Sequence, residues 1–72
     1  MTRSQLLEKA NSLPLAPGVY LMKNARHEVI YVGKAKKLKN RVSQYFQSGS
    51  GHNYKTHVMV GQVDDFDTII VR

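Results

Sequence analysis

Gly18-Val19-Tyr20-Leu21-Met22-Lys23, then Asn24-Ala25-Arg26-His27, then Glu28-Val29-Ile30-Tyr31-Val32-Gly33, is the stretch that decides the fold. Two runs rich in β-branched and aromatic residues flank a polar turn, the pattern of an antiparallel hairpin with a four-residue loop. If Lys23 and Glu28 close that loop, Tyr20 falls directly opposite Tyr31. Cross-strand partners leave the sheet from one face with Cβ atoms ~4.5–5.5 Å apart, so the spacing predicts two phenols side by side.

Outward from the hairpin, the other elements follow from periodicity and punctuation. Thr2-Arg3-Ser4-Gln5 reads as a capping box, and Leu6, Leu7, Ala10 and Leu13 recur at helical spacing, which predicts an amphipathic helix over residues 3–12. Pro14, Pro17 and Gly18 end it and set an extended lead-in. On the other side, Gly33 is expected to break the second strand, and Lys34-Ala35-Lys36-Lys37 leads into a second helix. Its buried stripe is Leu38, Val42, Tyr45 and Phe46, with Lys39, Arg41 and Ser43 off it. Ser48-Gly49-Ser50-Gly51 has the composition of a flexible loop. Tyr54, Val58 and Val60 suggest a short third helix ending near Gly61. Asp64-Asp65 then turns into a third strand, Phe66-Asp67-Thr68-Ile69-Ile70-Val71. No internal repeat or second domain is visible.

Composition narrows the function classes. The 72 residues form one domain at most, and a chain of this length buries only about 60–65% of the surface its unfolded form exposes. Cysteine is absent, which excludes disulfide staples, thiolate zinc sites and a cysteine nucleophile. No apolar run approaches the roughly 20 residues of a membrane span, and the polar start is unlike a signal peptide. A soluble intracellular protein is the expectation. Eleven Lys and Arg against five Asp and Glu give a net charge of +6. Lys23, Arg26, Lys34, Lys36, Lys37, Lys39 and Arg41 crowd a stretch whose only acid is Glu28, a distribution that attracts phosphates or anionic lipid heads.

The same segment gathers the candidate chemistry. Tyr20 and Tyr31 share a sheet face, and Lys34 follows a glycine whose missing Cβ would let a phosphate backbone approach. Arg41 lies seven residues further on. Two phenols, an ammonium and a guanidinium suit a phosphodiester: the cations bind it and stabilise charge building on phosphorus. A phenol could orient or deprotonate a water if neighbouring cations or a metal lowered its pKa from about 10. Singly, each feature has a plainer reading, since tyrosine pairs on strands usually pack and lone cations are usually solvated. Tyr45 lies on the core stripe with its hydroxyl able to reach a site edge. Asp64, Asp65 and Asp67 read as a turn before a strand. His27, His52 and His57 lack metal-ligand spacing, and the Ser-Gly run is no P-loop.

In combination these residues resemble a known family. Gly18-Val19-Tyr20 and, ten residues later, Tyr31-Val32-Gly33 resemble the two half-motifs of the GIY-YIG nucleases, with Val19 and Val32 as mild replacements for the nominal isoleucines. Six segments resemble the branch formed by the N-terminal domains of the UvrC-type excinucleases: Leu13-Pro14 through Tyr20, Ile30 through Leu38, Arg41-Val42, Tyr45-Phe46, Lys55-Thr56 and Asp67 through Val71. The resemblance covers nearly the whole chain and implies a small α/β (α+β) domain, with a three-stranded sheet, a β-hairpin and flanking short helices. It implies metal-dependent phosphodiester hydrolysis by water with Mg²⁺ or Mn²⁺. It also implies an incision on the 3′ side of a DNA lesion in nucleotide excision repair, after a damage-loading subunit of the UvrB type has prepared the site in the bacterial cytoplasm. On matching positions, Tyr20 and Tyr31 would hold or activate the water, Lys34 would assist, Arg41 would steady the scissile phosphate and Tyr45 would line the site. Lys34, Lys36, Lys37, Lys39 and Arg41 would bind DNA.

One departure matters. The family's metal-binding glutamate lies on a helix after the third strand, and the expectation is that residues 1–72 form a single domain of this family truncated before it. Glu8 and Glu28 match nothing in the motif, so no metal ligand is expected here. Two alternatives stay open: a non-catalytic DNA-binding or scaffold module, and a free-standing structure-specific nuclease of the same family.

Overall fold

The computed structural model describes residues 1–47 and 51–71, so most of the Ser48–Gly51 segment lies outside the described residues. The elements run α1 (Arg3–Asn11), β1 (Gly18–Lys23), β2 (Val29–Ala35), α2 (Leu38–Phe46), α3 (Tyr54–Gln62) and β3 (Asp65–Ile70). The fold is α+β, with an antiparallel sheet of order β2-β1-β3. The motif strand β1 is therefore central. No helix among the described residues is long and apolar enough to cross a membrane.

Local chemistry sets the helix ends. Thr2 Oγ1 accepts from the Gln5 N–H at 3.1 Å while Gln5 Oε1 accepts from the Thr2 N–H at 2.8 Å, the reciprocal capping box the sequence predicts. α2 has no side-chain cap; its first-turn N–H groups on Leu38 and Lys39 donate instead to the carbonyls of Ala16 and Pro14, at 3.0 and 3.2 Å. The proline-rich lead-in thus satisfies the helix donors that would otherwise be unpaired. Asn53 caps α3 by accepting from the Thr56 N–H at 2.8 Å.

One face of the sheet carries the core. Tyr20 and Met22 of β1 and Phe66 of β3 pack against Leu6, Ala10, Leu38, Val42, Phe46 and Val60 from the helices. Phe46 and Phe66 stack with centroids 5.9 Å apart. Two sequence expectations change here. Ser43 is buried, its hydroxyl donating to Asn40 O at 3.2 Å, because α2 is enclosed on more of its circumference than its apolar stripe suggests. Tyr54 and Val58 are exposed, and α3 rests on the core mainly through Val60 and Met59.

The three aspartates before and in β3 are structural. Asp64 pairs with the N-terminal ammonium at 2.9 Å, Asp65 with Lys9 at 2.7 Å and Asp67 with Lys23 at 2.6 Å. Burial alone would raise Asp65, but Lys9 and the Phe66 backbone N–H hold its carboxyl below the ordinary value. The hydrogen bond to Asp67, working against partial desolvation, holds Lys23 above its ordinary value.

The hairpin register corrects the direct pairing of the two motif tyrosines. Tyr20 lies opposite Gly33, and Tyr31 opposite Met22. The turn runs one residue longer than expected, with Lys23 paired to Val29. Asn24 organises it: its side-chain oxygen accepts from the N–H groups of Arg26 and Glu28, and His27 sits at φ 64°. Asparagine supplies its own turn closure. By itself that extra residue would shift β2 by one position and throw Tyr31 onto the far face. A β-bulge at Ile30, between the Lys23–Val29 and Met22–Tyr31 pairs, adds a second position and restores the shared face.

Candidate active site

Tyr20, Tyr31 and Tyr45 converge where the hairpin meets α2. Ring centroids lie 6.1 Å apart for Tyr20–Tyr31, 5.7 Å for Tyr20–Tyr45 and 6.5 Å for Tyr31–Tyr45. Tyr20 and Tyr45 are buried, and their hydroxyls share a hydrogen bond of 2.8 Å. Tyr31 is different: it is 40% exposed and edges toward solvent. The trio therefore has a locked inner pair and one outward phenol.

Gly33 makes this packing feasible. The strand does not break there but continues to Ala35, and the space a Cβ would fill is taken by the end of the Tyr20 ring, including its hydroxyl. The missing Cβ thus accommodates a phenol of the site itself, where the sequence suggested room for a phosphate backbone. Gly33→Ala is expected to force Tyr20 aside, lengthen its bond to Tyr45 and cost about 1–3 kcal/mol as overpacking in a close-packed region. Urea unfolding and the Tyr45 ring resonances in NMR check both parts; unchanged stability with unshifted resonances would mean the backbone yields instead.

Arg41, one turn before Tyr45, places its guanidinium carbon 5.8 Å from the Tyr45 ring centroid. Hydrogen bonding to Tyr20 and the fields of Tyr45 and Tyr20 hold Arg41 above its ordinary value, so it is a permanent cation. Tyr45 moves the other way from the expectation that cations would lower a phenol. Burial first, then the bond to Tyr20 and the neighbouring phenols, raise it, and Arg41 offsets only part of the rise. Tyr45 stays protonated at neutral pH and serves as a hydrogen-bonding group.

Two clefts meet at this point, each of about 490 Å³. Lys34, Lys36, Lys37 and Asn40 line one with Arg41 and Gln44. Tyr45, His52, Asn53 and Thr56 line the other with the same Arg41 and Gln44. The structure brings Lys34, Lys36, Lys37 and Arg41 together; Lys39, whose backbone N–H donates to Pro14 O, lines neither of these clefts. His52 is the residue that sequence reasoning passed over. It stacks on Tyr45 with centroids 5.6 Å apart and an interplanar angle of 22°, and its Nε2 lies 3.2 Å from Tyr45 O.

Among the described residues no group of three or more His, Cys, Asp or Glu side chains could hold a metal ion, and no described residue lining the two clefts is acidic. The carboxylates of Asp64, Asp65 and Asp67 are engaged by cations elsewhere.

Residues 16–72 match the model of the UvrC-like GIY-YIG domain family. The UvrABC system protein C of Clostridium tetani is 62% identical over 58 residues, which are 81% of this chain and 9% of that protein. The GIY-YIG N-terminal endonuclease domain of UvrC from Thermotoga maritima, a point mutant bound to its catalytic divalent cation, superposes with a TM-score of 0.83 at 33% identity, over 100% of this chain and 74% of that one. The form of that domain bound to magnesium gives 0.81 at 33% identity, covering 75% of its chain. The chain thus spans about a tenth of the length of the curated relative and about three quarters of the solved domain.

Proposed function

This chain belongs to the UvrC-like GIY-YIG domain family, and on that premise we propose that it carries the tyrosine–arginine face of a DNA endonuclease. Its reaction is hydrolysis of a phosphodiester on the 3′ side of a lesion in nucleotide excision repair. The observation that supports this most is the packing of three phenols on one another beside a permanent cation, Arg41, that itself lines two clefts with no acidic lining among the described residues.

Each residue then has a physical role. Arg41 binds non-bridging oxygens of the scissile phosphate and opposes the charge that builds there. Tyr31, the outward phenol, positions the attacking water and, in its phenolate form, accepts the proton that water gives up. Tyr20 and Tyr45, bonded to each other, hold the geometry beneath it. Lys34, Lys36 and Lys37 bind flanking backbone as point charges. Residues 1–72 form a single domain of this family, and the family's metal-binding carboxylate belongs to a segment after the third strand. The partners are DNA and a UvrB-type damage-loading subunit. A divalent cation is the cofactor, its carboxylate supplied from outside these residues.

The lack of an acidic group in the clefts is also what a non-catalytic DNA-binding module would look like, and the cutting assay in the Discussion separates the two. DNA binding itself is tested by salt dependence. With three or four cations engaged on duplex DNA, log affinity is expected to fall against log salt with a slope on the order of −3, at about −0.9 per neutralised phosphate. Lys34→Ala and Arg41→Ala should each flatten the slope by roughly one unit. Fluorescence anisotropy between 50 and 200 mM salt (about the range over which such slopes are read) measures it; slopes unchanged in both variants would place the phosphates elsewhere.

A further inference from the structure

The surface that α2 leaves to solvent is narrow and of one character. Of its nine residues only Asn40, Arg41 and Gln44 are exposed, and with the exposed N-cap Lys37 they all line the lysine cleft. Residues three and four apart are neighbours on a helix surface, so Lys37, Arg41 and Gln44 follow one another along a single stripe. At a rise of about 1.5 Å per residue, Lys37 stands about 6 Å before Arg41 along the axis and Gln44 about 4.5 Å after it. We infer that the cut strand runs along α2, with the scissile phosphate on Arg41, its neighbour on one side on Lys37 and its neighbour on the other side on the Gln44 amide, and that Gln44 is a strand-positioning residue. This rests on the DNA-nuclease reading and adds the path of the strand to it.

A near-attack geometry needs the reacting phosphate fixed against rotation as well as translation, and one contact at Arg41 cannot do both. Contacts to the phosphates on either side can. The lysines of the cleft all come before Arg41: Lys34 lies in β2, Lys36 in the connection after it and Lys37 at the start of α2. Beyond Arg41 along the helix, Gln44 alone among the described residues lines this cleft. Its amide nitrogen donates to a phosphate oxygen without adding charge, a common contact of glutamine at nucleic-acid backbones. No described acidic residue lines the cleft to repel the strand. One flank is therefore held by charge and the other by a neutral hydrogen bond, and only the first depends steeply on salt.

The test is fluorescence anisotropy of the 72-residue chain on a labelled DNA duplex as salt is varied. Gln44, Lys37 and Gln62 are exposed, and Lys37 makes no side-chain cap bond, so their replacement leaves the core untouched. Gln44→Ala should weaken binding about two- to tenfold, the range for one hydrogen bond, and leave the salt slope as it was, because no charge is lost. Gln44→Lys should tighten binding about three- to tenfold at low salt and steepen the slope by roughly one unit, while Lys37→Ala flattens it by as much. Gln62→Lys adds the same charge at the end of α3, beside the hairpin turn, and is the reference. Three results overturn the path along α2: unchanged binding by Gln44→Ala, a Gln44→Lys slope no steeper than that of Gln62→Lys, or an unchanged slope in Lys37→Ala. The nuclease reading then still stands on a flattened slope in Arg41→Ala. No DNA binding by any form overturns that reading and the path with it.

Discussion

Supercoiled plasmid incubated with the 72-residue chain and Mg²⁺ or Mn²⁺ is expected to stay essentially uncut, while a longer polypeptide with the part of the solved domain beyond this match nicks it readily. The reason lies in the carboxylates. Those of Asp64, Asp65 and Asp67 are bound to the N-terminus, Lys9 and Lys23, and none of them lines the clefts beside the tyrosines. A cation at a scissile phosphate contributes several kcal/mol of transition-state stabilisation. At about 1.4 kcal/mol per tenfold, its loss corresponds to a thousandfold or more in rate, even with the phenols and Arg41 in place. The two lengths, purified free of host nucleases, are compared in one nicking assay. Strong metal-dependent cutting by the short chain, lost in its own Tyr31→Phe variant, would show that one of those aspartates leaves its ion pair to bind metal.

In the longer polypeptide, Tyr31→Phe should lower kcat by about 10²–10⁴, the range for removing a positioned proton-transfer group, with little change in DNA affinity. Tyr45→Phe should cost far less, on the order of tenfold, because that hydroxyl acts through its bond to Tyr20 and not on the substrate. The distinction comes from the structure. Tyr31 is the exposed phenol, whereas Tyr45 is buried, bonded to Tyr20 and held in its protonated form. Single-turnover rates across pH decide between them. A Tyr45→Phe loss as large as that of Tyr31→Phe, with the alkaline limb of the profile displaced, would exchange the two roles.

Much of this protein was legible from local chemistry. The capping box at Thr2 and Gln5, the β-rich runs either side of Asn24–His27, and the stripe Leu38, Val42, Tyr45 and Phe46 each express a preference satisfied within a few residues, and each appears in place, with β2 running on past Gly33 to Ala35. The two half-motifs likewise pointed to the family from residue identity and order. Pairing across a turn is another matter. Loop composition gave a four-residue turn where the structure has five, and a bulge depends on both paired strands, so the Tyr20–Gly33 register could not be read from β2 alone.

The sequence by itself determined the elements, the basic stretch and the tyrosine–arginine kit, because helix caps, strand period and charge are properties of neighbours along the chain. Only the tertiary structure decided the rest. It set Tyr20 over Gly33, turned the Asp64–Asp67 cluster into ion pairs with Met1, Lys9 and Lys23, and carried His52 onto the Tyr45 ring. Each of those contacts joins side chains on different elements. Which atoms meet there depends on how the helices settle on one face of the sheet, and on the one-residue bulge that keeps Tyr31 on that face.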